Sequence, residues 1–226
     1  MVSFAKNKKA QPNKPGLTEA ALENNLDAAR TLLAAGADVH EKSIGYSSPL
    51  HAAANAGHLE MVELLLEHGA RPGRVGDEMY SPLDGALQKG HVQIARKLLD
   101  KGAKVKVEPN ALEYAVLGPG GVESLKLLIE YGLKIDPKSD QAASALRKAA
   151  FKGKYSCAKF LVEAGVDPKK HPLYEVDLFG EKLAKPDLPA DHAKRNGFKV
   201  LAAYLKGEKI DEAAALAAEK KGPKKQ

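Results

Sequence analysis

Seven histidines, one cysteine, a short glycine-proline run and scattered carboxylates are the groups here that could do chemistry. His51 and His58 stand seven residues apart, His68 follows, and His91 lies 33 after His58. Structural zinc uses Cys or His ligands in close pairs, typically about two to five residues apart. No His, Cys or Asp cluster has that spacing; His40, His171 and His192 are isolated. Cys157 would act as a nucleophile only with a base beside it. It stands instead in Tyr155-Ser156-Cys157-Ala158, among small residues suited to an interior. Gly118-Pro119-Gly120-Gly121 is glycine-rich but lacks the Lys-Ser/Thr of a phosphate-binding loop, and reads as a strained or lengthened turn. The carboxylates have no spacing that would make two converge. No catalytic residue, metal or cofactor is therefore expected, and the chain reads as a non-enzyme.

Composition narrows the classes further. The hydrophobic fraction of 44% can build a core, but aromatics are only 5% and Trp is absent, so Leu, Ala and Val must fill it. Ala and Leu favour helices. A single cysteine excludes an intramolecular disulfide, and no N-x-S/T site occurs. No run reaches the roughly 20 apolar residues of a membrane-spanning helix. The basic start runs through Lys9 into Gln11-Pro12-Asn13, not into an apolar signal core. These features make the cytoplasm the default compartment, with the nucleus left open.

The net charge of +6 is unevenly placed. Residues 1–15 carry +4 and residues 206–226 carry +2, so residues 16–205 are neutral, with 25 bases and 25 acids. That neutral body is polarised, at −5 over residues 16–100 and +5 over 101–205. The basic pI reports mostly on the two ends.

The elements that position these groups come from self-similarity. Gly36, Gly69 and Gly102 fall 33 apart, as do Gly132 and Gly165, and a second series of Gly57, Gly90, Gly120 and Gly153 runs beside them. Ser48-Pro49-Leu50-His51-Ala52-Ala53-Ala54, Gly57-His58, Val62-Glu63-Leu64-Leu65-Leu66 and Gly69-Ala70 form one period. Ser81-Pro82-Leu83-Asp84-Gly85-Ala86, Gly90-His91, Ile94-Ala95-Arg96-Lys97-Leu98-Leu99 and Gly102-Ala103 form the next. Ser-Pro supplies a cap and a first-turn proline for a short helix. The following glycine can take φ > 0 at the turn into a second helix. Leu-Leu closes that helix's apolar face.

These strings resemble the ankyrin repeat over about residues 15–206. The resemblance implies an all-α solenoid of stacked helix-loop-helix units with hairpin-like fingers. It also implies a structural role for His51, His58 and His91, bridging loop backbones by hydrogen bonds. Six units are expected, about 16–45, 46–78, 79–106, 107–139, 140–178 and 179–206. In the first, Asn24 stands at the glycine position and can substitute for it. The fourth, from Ala111-Leu112-Glu113-Tyr114-Ala115, has a shorter approach, a longer inter-helix turn and a stunted finger. The fifth, Ser144-Ala145-Leu146 through Ala149-Ala150, Gly153 and Phe160-Leu161-Val162 to Gly165, returns to register. Eleven inserted residues, around His171 to Lys185, lengthen the finger before the last unit (about 169–187). Residues 1–15 form a basic tail expected to be disordered. Residues 207–226 form a Lys-rich extension with a helix over 208–221, whose large apolar groups are Ile210 and Leu216.

Partner contacts, by the same resemblance, fall on the finger tips and the exposed ends of the first helices along a concave groove. Those ends are Leu22-Glu23, Asn55-Ala56, Gln88-Lys89, Leu117-Gly118, Phe151-Lys152 and Arg195-Asn196, with Tyr46 and Tyr80 just before their helices. Tyr46, Tyr80, Gln88, Lys89, Leu117, Arg147, Lys148, Phe151, Lys152 and Arg195 are the candidate contacts. Packing on the next repeat competes with this role for Phe151, and covering the finger stack competes for both tyrosines. Arg147, Lys148, Lys152, Lys154 and Lys159 form a basic group expected on the groove side or rim, with Lys194, Arg195 and Lys199 one unit on. Such a surface attracts acidic protein or phosphate. The leading expectation is an adaptor or accessory subunit of a larger assembly. An inhibitor or chaperone masking one partner, and a ribosome- or RNA-associated protein using its Lys-rich tails, are the alternatives. No membrane insertion is expected, and nothing points to a homo-oligomer.

Overall fold

The computed structural model describes residues 16–42, 48–73, 80–105, 110–169 and 188–222. Among them every regular element is a helix. Six pairs follow one another: α1 (Leu17–Leu22) with α2 (Leu26–Ala34), α3 (Pro49–Ala56) with α4 (Leu59–Glu67), and α5 (Pro82–Lys89) with α6 (Val92–Asp100). Then come α7 (Ala111–Leu117) with α8 (Gly121–Glu130), α9 (Asp140–Lys152) with α10 (Tyr155–Glu163), and α11 (Pro189–Arg195) with α12 (Lys199–Lys206). A last helix, α13 (Glu212–Lys221), stands alone. The fourth unit's finger residues 106–109 and the finger insertion at 170–187 lie outside the described residues, as do 1–15 and 223–226.

Local signals start the first helices. Ser48 caps α3 by accepting from the His51 N–H at 3.2 Å, with Pro49 at the first position. Ser81 and Asp84 close a reciprocal capping box on α5, both bonds at 3.1 Å. In the fifth unit Ser139 caps the first helix through the Ala142 N–H at 3.2 Å, and α9 runs thirteen residues. Asp140-Gln141-Ala142-Ala143 holds no breaker, so the helix begins a turn ahead of Ser144.

The turns inside the units use the left-handed backbone region. Asn24 takes φ 57° and Gly57 takes φ 89°. At Gly57 a Cβ would also lie 2.6 Å from the His91 ring, so the next unit's side chain fills that space. In the fourth unit Gly120 does not continue the glycine series: its φ is −65°, and the left-handed residue is Gly121 at φ 48°. The extra residue displaces the turn by one position. Gly118 is extended there, and a Cβ on it would collide with the Leu87 carbonyl of the preceding unit.

The first helices bury leucines, among them Leu17, Leu50, Leu83, Leu87 and Leu146, together with small side chains such as Ala52, Ala53, Ala86, Ala115, Ala149 and Ala193. Each packs closely on the next, in the order α1, α3, α5, α7, α9, α11. The second helices bury Leu65, Leu98, Leu125, Leu128 and Leu161 completely. They approach one another less closely than the first helices do. Burying a leucine side chain stabilises by about 1.5–3 kcal/mol, which makes the buried leucines of both helix rows the main cohesive term. Exposed ion pairs, Lys97–Glu63 at 2.7 Å and Arg96–Glu130 at 2.8 Å, tie successive second helices. Solvent screens such pairs, and they add little.

Helix α13 packs against α10 and α12, on the second-helix side of the last two units. The apolar residue it buries is Ala215; Leu216 stays exposed and Ile210, just before the helix, is half-buried. Its attachment is mostly polar. Glu219 accepts from the Ser156 N–H at 3.0 Å and the Ser156 hydroxyl at 2.7 Å. Glu212 accepts from Tyr155 at 3.3 Å and from Lys159.

Candidate partner-binding surface

The last residue or two of each first helix must face the inter-helix turn, so side-by-side packing sets these ends in a row. Leu22, Tyr80 and Phe151 are exposed large apolar groups on or just before first helices, at 39%, 39% and 48%. Gln88, Lys89, Lys152 and Arg195 are exposed, while Leu117, Arg147 and Lys148 are half-buried. Tyr46 lies outside the described residues. Tyr80 stacks on the His51 ring at 6.2 Å, so one of its faces covers the repeat stack. Phe151 meets His192 of the next unit edge-on at 6.2 Å, and the Lys152 ammonium lies 5.7 Å from its ring centroid. Both neighbours steady a ring that still leaves half its surface to solvent.

The expected basic group does not assemble as one patch. Lys148 pairs with Glu113 of α7. Lys159 sits on the second-helix side, paired with Glu212 of α13 and 3.7 Å from Glu163. Its hydrogen bond holds the Glu212 carboxyl below the ordinary range. Lys154 is half-buried at the turn before α10. The cause is the helical pair itself: seven residues separate Lys152 from Lys159, but a turn sends them to opposite sides. Cations exposed on the first-helix row are Lys89, Lys152, Lys194 and Arg195.

The residues with chemistry to offer serve the fold. His58 Nε2 lies 2.9 Å from the Leu22 carbonyl, and His91 Nε2 lies 3.2 Å from the Asn55 carbonyl. Each ring thus reaches the end of the preceding first helix, where carbonyls lack helical partners. Phe198 holds the equivalent place in the last unit, packed over Gly153. Cys157 is buried beside the Val116 carbonyl, and burial pushes its thiol up to about 11, away from thiolate chemistry at neutral pH. Among the described residues, no three His, Cys, Asp or Glu side chains converge as metal ligands would. No described helix is long and apolar enough to cross a membrane.

Residues 17–109 match the family model for ankyrin repeats, in three copies. These are ankyrin repeats. The units from α7 to α12 continue the same pairing and stacking, so the whole described array is an ankyrin-repeat solenoid. Among solved structures similar to it is the human ASB11 ankyrin repeat domain, with 29% identity and a TM-score of 0.66 over 87% of this chain and 82% of that one. No curated protein matches the sequence. Ankyrin repeats are generally protein–protein interaction modules and a typical non-enzymatic scaffold.

Sequence reasoning missed one exposed apolar group on the other side, Ile129; Leu216, which the sequence singles out, is exposed there too. Ile129 follows Leu127-Leu128 and reads as core in a run of apolar residues. Only the rotation of α8, which buries Leu125 and Leu128 fully, turns it outward.

Proposed function

We propose that this chain is a non-enzymatic adaptor or accessory subunit of a larger assembly, working in the cytoplasm or nucleus. It engages another protein through the first-helix row and the finger side. The observation that carries this reading is Phe151. A phenylalanine half exposed, yet held between His192 and Lys152, has the burial reserve and rigidity of an interface anchor. Leu22 and Tyr80 extend apolar contact along the same row.

The test is affinity purification of the full chain at moderate salt, with and without nuclease. Phe151→Ala combined with Tyr80→Ala is expected to lower retention of the principal protein partner by about tenfold, the range of a single interface anchor. A retained complex that sediments as a large assembly supports the subunit reading, and a small one-to-one complex supports a masking inhibitor. Retention that survives both substitutions but is lost on nuclease treatment would transfer the function to RNA association.

A further inference from the structure

We propose that the Phe151 end of the row takes an acidic peptide segment bearing one bulky apolar side chain. This rests on the interaction reading above and names the partner's chemistry. The fate of each carboxylate on the first helices of units three to six points to that chemistry. Asp84 is buried in the capping box with Ser81. Glu113 is paired with Lys148. Asp191 accepts from the Leu188 N–H at 3.2 Å, at the start of α11. Asp140 lies in the first turn of α9, at the end away from Phe151. The C-terminal ends of these helices carry Lys89, Lys152, Lys194 and Arg195 and no acid. Among the described residues on the turn side of these units, Glu123 is an exposed carboxylate, in the first turn of α8.

Among the described residues, Lys152 and Lys194 are thus exposed on α9 and α11, where the Phe151 ring is half open, while Glu113 and Asp191 of the neighbouring first helices are engaged within the fold. A segment of Asp and Glu lying across α9 and α11 would place carboxylates against Lys152 and Lys194. An apolar side chain in that segment would close the open half of Phe151. Both contacts are needed for specificity, because charge steers association and the apolar anchor holds it. A single-stranded nucleic acid fits less well. It needs successive exposed stacking platforms, and the neighbours of Phe151 along the row are the aliphatic Leu117 and the His192 ring, which is half-buried and edge-on to it.

Fluorescence anisotropy with the full chain tests this. The probe is a labelled Asp/Glu-rich peptide with one central Leu; the comparison probes replace Leu by Ser, replace the acids by Asn and Gln, or are oligo-uridylate. The acidic Leu peptide is expected to bind tightest and to weaken as salt rises. Lys152→Glu with Lys194→Glu should weaken it by about tenfold or more, and Phe151→Ala should weaken it about fivefold while sparing the Ser peptide. Unchanged melting curves for these exposed positions confirm that the array is intact; Lys152→Gln with Lys194→Gln gives a smaller loss in the same order if the reversals unfold it. Equal binding by the Asn/Gln peptide, or insensitivity to all these variants, overturns the proposal. Oligo-uridylate binding more tightly through the same lysines also overturns it. If acidic peptides fail while Phe151→Ala with Tyr80→Ala still releases a captured protein, the interaction reading stands and the acidic class falls.

Discussion

His51 sits at 5% exposure between Tyr80 and Gly85, where its ring occupies the space an alanine methyl would take. Burial lowers its pKa below the ordinary 6.5, because the imidazolium cannot keep its water. The folded chain holds this ring neutral, whereas the unfolded chain protonates it as pH falls through about 6.5. The unfolded state then binds the extra proton, so this stability is present above that pH and is lost below it. Thermal melts from about pH 7.5 to pH 5 should show Tm falling with acidity, and His51→Gln should flatten that slope even if it lowers Tm at neutral pH. An equal slope in the variant would mean that other groups carry the effect. The placement of His58 and His91 was legible at this scale, because a 33-residue period repeats each ring's environment. The environment of Lys148 was not, because its partner Glu113 comes from the neighbouring unit and no short-range pattern connects them.

Helix α13 shows the limit of sequence reading for an element. Its existence follows from Glu-Ala-Ala-Ala-Leu-Ala-Ala-Glu-Lys-Lys, which combines strong helix formers with charges suited to the dipole. Its docking face does not, because an alanine-rich helix has almost no apolar stripe. The contact is set by Glu219 on Ser156 and Glu212 on Tyr155 and Lys159, while Leu216 turns outward. Ser156 lies in the first turn of α10, so Glu219 also supplies an acceptor to an N–H with no helical partner. Glu219→Ala should let α13 open on its own, raising its amide exchange by at least about tenfold, because both charge-assisted hydrogen bonds from Ser156 are lost. Exchange in α3 to α6 should not change. Lys159→Ala should have a smaller effect on α13, since its pair with Glu212 is solvent-exposed. Uniform exchange changes across the array would show that α13 is an integral layer instead.

An array in which each unit touches only its neighbours is as cooperative as its weakest interface. Unit four is the place where several weak terms coincide. Helix α7 has seven residues and no side-chain cap hydrogen bond, unlike the serine-capped α3, α5 and α9. Its turn to α8 spends three glycines, whose backbone entropy must be given up on folding. What compensates is leucine burial, with Leu125 and Leu128 fully buried. Leu125→Ala should cost about 2–5 kcal/mol, as large-to-small changes in a packed core do. The more specific consequence concerns cooperativity. With unit four weakened, the two flanks lose the link that makes them unfold together, so urea unfolding should broaden and its apparent m-value should fall. Amide exchange should then report different opening free energies for α3 to α6 and for α9 to α12. Leu205→Ala, an equal deletion in the last unit, should fray α12 and leave the earlier units joined. If Leu125→Ala merely moves one sharp transition to lower urea, with both flanks opening in step, the glycine-rich unit is no weaker a joint than the others.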